Sequence, residues 1–149
     1  SEDSFEQKEK LLFGEFLIEN ISGKIVDAGN SLEGISYAKL SDKNIKFGNI
    51  GLDGKFESML EDGKLEQISL SGSSIKDFIL NGEKHGLRYI SINGEGVTEI
   101  WYPYLSEVFE NDEKYQYLEK IVDTEDLGLS KIHIKVFEIN YEKFYQVSP

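Results

Sequence analysis

Apolar residues fall into short runs separated by turn dipeptides, and the rhythm is densest between Lys46 and Tyr102. Asp53-Gly54, Asp62-Gly63, Ser71-Gly72, Asn81-Gly82 and Asn93-Gly94 punctuate that stretch. A tight hairpin turn needs positive φ, which Asp-Gly and Asn-Gly tolerate. The runs between them, 55–61, 64–70, 74–80, 83–92 and 95–102, suit strands. Phe56 and Leu60 share a face, as do Ile68 and Leu70, Phe78 and Leu80, Ile90 and Ile92, and Val97 and Trp101. Met59, Ile75 and Ile79 fall on the opposite parity. With apolar residues on both faces, the pattern predicts an antiparallel meander, either covered on each side or curled into a sandwich or barrel.

Upstream, Ser4 and Gln7 have capping-box spacing for a short helix over about 5–12. The run 11–21 reads as a strand interrupted by Gly14, followed by short strands over 24–28, 35–40 and 45–50, with a polar turn at 41–44. After Pro103 the spacing turns helical, in segments 104–110 and 112–122. Tyr115, Leu118 and Val122 form one stripe, Asn111 or Asp112 supplies a cap, and Gly128 closes the region. Alternation of Ile132, Ile134 and Val136 then predicts a final hairpin within 131–147, its last strand at 144–147. The expected fold is mainly β within the α+β class: one domain over 1–149, with residues 1–4 a flexible start.

The segment Asn81-Gly82-Glu83-Lys84-His85-Gly86, followed by the strand through Ile92 and by Asn93-Gly94, resembles the MORN-type repeats of bacterial proteins often described as antitoxins. Glu99-Ile100-Trp101-Tyr102 continues the aromatic strand of that pattern, and residues 53–63 are a looser copy without the second Gly. The resemblance covers residues 46–102. It implies a protein-binding β-sheet rather than an active site.

Charge sharpens this picture. The formal net charge is -12, and it is concentrated in the flanks: residues 107–126 hold eight acids and two lysines, net -6. Such a field repels phosphate backbones and anionic lipid and attracts basic partners. Arg88 is the one Arg, which argues against bidentate readout of phosphate or guanine. The absence of Cys excludes disulfides, thiolate metal sites and Cys nucleophiles. No apolar run reaches the roughly 20 residues of a membrane span. The start Ser1-Glu2-Asp3-Ser4 suits the tether of a lipid-anchored protein as well as a trimmed end, and leaves the compartment open between cytoplasm and export.

Motifs for chemistry are sparse. His85 and His133 are the only histidines, and neither has a ligand partner at metal-site spacing. The run 123–128 begins like an EF-hand loop, but Leu127 and Ile134 stand where oxygen ligands are required. There is no nucleophile elbow around Ser71-Gly72-Ser73-Ser74 and no phosphate loop. The reading is a non-enzymatic module, without cofactor or metal, that docks a basic protein as an acidic immunity or antitoxin-like protein would. Asp112, Glu113, Glu119, Asp123, Glu125 and Asp126 are the expected steering charges. Tyr89, Trp101, Tyr102 and Tyr104 are the expected contact anchors. Two other readings stay open: a lipid-tethered surface or periplasmic protein with a structural role, and a hydrolase using two of the 28 acids as a carboxylate pair.

Overall fold

The computed structural model describes residues 2–35, 47–52, 65–96 and 98–147. Helix α1 (Glu2–Asn20) leads into strand β1 (Gly23–Ala28), then β2 (Phe47–Leu52) and β3 (Leu65–Ser69). Helix α2 (Ile75–Lys84), strand β4 (Leu87–Asn93) and helices α3 (Thr98–Trp101) and α4 (Pro103–Glu110) follow. A 3-10 turn at Asp112–Lys114, strands β5 (Leu118–Asp123) and β6 (Ile134–Ile139) and helix α5 (Tyr141–Val147) complete the order.

The six strands form one mixed sheet in the order β2-β3-β1-β4-β6-β5. β2 with β3, β3 with β1 and β1 with β4 are parallel, while β4 with β6 and β6 with β5 are antiparallel. This overturns the expected antiparallel meander. Parallel neighbours need a crossover rather than a tight turn. Between β3 and β4 that crossover is α2, over the residues expected to form a strand at 74–80.

Register sets out the two faces. Ile68, Val26, Ile90 and Phe137 are successive partners across four strands. They are packed under Phe78 and Ile79 of α2, Leu105, Val108 and Phe109 of α4, and Phe144 of α5. On the other face Ile25, Tyr89, Ile134 and Val136 lie under Phe13 and Leu17 of α1. The result is a helix-sheet-helix sandwich, which explains why the strands carry apolar residues on both parities.

Several expected elements change identity for reasons of packing. Residues 11–21 fall within α1 and the segment after it instead of forming a strand; Phe13 and Leu17, one helical turn apart, are both buried. Gly14 lets that helix touch the segment after β1: a Cβ there would lie 2.6 Å from the Gly34 carbonyl carbon. The Asn81-Gly82 dipeptide is helical, not a turn. Ser74 caps α2 by accepting from the Asp77 N–H at 3.1 Å, and burial of Phe78 and Ile79 outweighs the roughly 1 kcal/mol cost of a helical Gly. The segment that resembles a MORN repeat is thus a helix end, a turn at Gly86 (φ +74) and a strand. Of the strand expected at 95–102, residues 95 and 96 lie in a bend and turn and 98–101 form α3. The helix expected over 112–122 becomes the 3-10 turn and β5, with Leu118 and Val122 in opposite-face clusters. β6 pairs with β5, and residues 144–147 are helical, so the hairpin expected within 131–147 is displaced upstream. The strands expected at 24–28 and 64–70 are present as β1 and β3, and a helix starts at Pro103 as the change of rhythm indicates. Asp53-Gly54, Asp62-Gly63 and the runs at 36–46 and 55–61 lie outside the described residues.

Candidate functional site at the carboxyl edge of the sheet

Strand order puts β3 on one side of β1 and β4 on the other. The crevice beyond the carboxyl ends of such strands, where the order reverses, is where open α/β sheets place their sites. Gly29 (φ +80) and Asn30 (φ 57) turn the chain sharply off β1. Asn93 Nδ2, at the end of β4, donates to the Gly29 carbonyl at 3.0 Å and ties the two strand ends together. A cleft of about 310 Å³ opens there, lined among others by Glu6, Lys10, Glu33, Asn93 and Glu95. Lys10 bridges Glu33 at 2.9 Å and Glu6 at 3.6 Å, so much of the wall charge is neutralised internally.

Beneath the turn, Asp27 Oδ1 accepts from both the N–H and the hydroxyl of Ser31. Burial raises the Asp27 carboxyl above its ordinary value, and these two bonds offset part of the rise. Among the described residues, the hydroxyls of Ser91 and Thr98 are buried without a hydrogen-bond partner. From the rim, Glu95 and Gly96 lead into α3, where Ile100 and Trp101 are 75% and 70% exposed.

The four expected anchors separate. Trp101 stands in solvent. Tyr89 is 3% exposed, under the Arg88 guanidinium at 4.9 Å from its ring centre; its alternation in β4 points it into the core, which corrects its assignment as an anchor. Tyr102 and Tyr104 are half-buried against Phe78, with ring centres 6.4 and 5.8 Å away. Burial pushes the Tyr104 phenol up to about 12, and its hydroxyl donates to the Gly72 carbonyl.

The expected steering acids separate as well. Glu113, Glu119, Glu125 and Asp126 are exposed. Asp112 is held by Lys135 at 3.2 Å and Lys120 at 3.5 Å, and Asp123 by Lys120 at 3.5 Å and by His133. These two carboxylates are internal ion-pair partners, 21% and 9% exposed on their side chains, unlike the other four acids. The sheet also gives His133 the neighbours that spacing denied it. Its Nε2 lies 3.1 Å from Asp123 Oδ1 and its Nδ1 3.4 Å from Glu125 Oε1, across the β5–β6 connection.

Ile100, Asp27 and Ser31 were not singled out by sequence. An acid near the end of an apolar strand run, separated from Gly29-Asn30-Ser31 by Ala28 alone, is a usable signal for the last two. Ile100 carries none, since its exposure depends on how α3 lies on the sheet. Compared with protein-family models, curated proteins and solved structures, the chain matches none.

Proposed function

We propose that this chain is a non-enzymatic protein-binding module whose partner is a basic protein, docked on the α3 rim. The supporting observation is the adjacent pair Ile100 and Trp101, exposed beside a core that buries most other large apolar groups. Burying Ile100 alone would supply roughly 1.5–3 kcal/mol, and Trp is the residue most enriched among binding hot spots. The negative field of residues 107–126 favours a cationic partner. The exposed Glu113, Glu119, Glu125 and Asp126 accelerate its approach more than they add affinity. An immunity or antitoxin-like role, in which an acidic protein covers a basic one, is the function class this reading favours.

Affinity capture from the source organism tests it, comparing the native chain with Trp101→Ala and with Glu113, Glu119, Glu125 and Asp126 changed together to Lys. The expected result is a basic protein retained by the native chain, lost with Trp101→Ala, and bound more slowly at low salt after charge reversal. Equal retention by all three overturns the assignment of the rim.

A further inference from the structure

We propose that Asp123, Glu125 and His133 form a binding site for a divalent transition-metal ion of the zinc type. One ligand atom from each residue lies within 4.8 Å of the others. Two ligands at about 2.0–2.2 Å from a tetrahedral zinc stand about 3.5 Å apart, so a shift of up to about 1.3 Å closes the set. Glu125, 65% exposed on its side chain, is free to make it.

The other two ligands are already fixed. Asp123 is 9% exposed at the end of β5, with Lys120 on Oδ2 and the Glu125 N–H donating to Oδ1 at 3.0 Å. The His133 ring meets Phe109 edge-on at a centroid distance of 4.8 Å. Buried Thr124 clips the connection shut: its hydroxyl donates to the Ile132 carbonyl and accepts from the Ile134 N–H.

The imidazole itself points to a cation. Both of its nitrogens face carboxylate oxygens, whereas a neutral ring has one N–H and one lone pair. In a neutral ring one of the two contacts sets lone pair against lone pair, which either a second proton or a bound metal ion relieves. A cleft of about 520 Å³ lined by Glu95, Gly128, Ser130 and Ile132 opens beside Glu125 and His133, with room for water ligands. An imidazole donor selects zinc over magnesium. The site does not include Ile100 or Trp101 and does not rest on the docking assignment, with which it shares Glu125 alone.

Titration calorimetry of the full chain with zinc chloride, in buffer freed of other metals, tests the site. The expected result is one-to-one binding that weakens at least tenfold in His133→Ala and in Glu125→Gln, and is unchanged in His85→Ala or by excess magnesium. Zinc should also raise the thermal midpoint of the native chain but not of Glu125→Gln, whose exposed position keeps folding out of the comparison. No zinc binding by the native chain overturns the site. So does equal affinity in Glu125→Gln and the native chain, which would place the ion on other surface groups.

Discussion

Asp27 Oδ1 accepts two hydrogen bonds from one residue, Ser31, through its backbone N–H and its hydroxyl, each 2.6 Å long. The pair locks the turn after β1 at the point where the sheet reverses its order, and it places a carboxylate where burial disfavours its charge. Ser31→Ala leaves that carboxylate with one donor fewer. Leaving a buried acceptor short of a donor costs about 1–3 kcal/mol, and urea denaturation is expected to show a loss in that range.

The same carboxylate makes stability depend on pH. Its folded pKa lies above its ordinary value of 3.8, so the folded chain holds this proton more tightly than the unfolded one. The stabilisation is complete below 3.8 and is lost as pH rises through the folded value. Asp27→Asn removes the titration, so its stability should rise relative to the native chain over that window and then level off. Denaturation curves of both proteins from about pH 3 to about pH 7 check this; a pH-independent difference would refute it.

Asp112 behaves in the opposite sense. Its partial burial disfavours ionisation, but the ammonium groups of Lys135 and Lys120 outweigh that and hold the carboxyl below its ordinary value. This contribution is present above 3.8 and lost as pH falls through the folded value. Asp112→Asn is expected to cost about 1 kcal/mol or less at neutral pH, as partly exposed ion pairs do. The difference from the native chain should vanish in acid.

Trp101 is the single Trp of the chain and is 70% exposed. Its fluorescence should resemble that of tryptophan in water and be strongly quenched by acrylamide. Trp101→Ala should shift stability by less than about 0.5 kcal/mol, as surface substitutions do. Phe78→Ala, at a fully buried position, should cost about 3–5 kcal/mol. A blue-shifted, protected Trp101 would remove the exposed rim on which the docking proposal stands.

Gly34 sits where α1 crosses the segment after β1. A Cβ there would stand 1.7 Å from the Lys10 carbonyl oxygen, a backbone atom unable to move aside alone. Gly34→Ala should therefore separate α1 from the sheet and lower stability by about 3 kcal/mol, the upper end of overpacking costs. Thermal unfolding of this variant beside the native chain measures it.

What the residues determine by themselves is local. The apolar run at β1, the run at β3 and the change of rhythm at Pro103 identify elements because each bears its own period or breaker. Trp101 and the acidic 107–126 stretch are legible for the same reason, as composition. Asn81-Gly82 shows the limit of such reading. The dipeptide is an excellent turn in isolation, yet Ser74 caps a helix ahead of it and Phe78 and Ile79 pull that helix onto the sheet. Likewise Leu118 and Val122 fit one helical stripe, but a register shift after Lys120 sends them to opposite faces of a strand. Parallel pairing of β1 with β3 and β4, and the meeting of Asp123, Glu125 and His133, were decided by tertiary structure alone. The first joins residues far apart in sequence, the second residues ten or fewer positions apart that only the pairing of β5 with β6 brings face to face, and the free energy that selects these pairings comes from covering two apolar faces of one sheet at once, a condition no short window of residues contains.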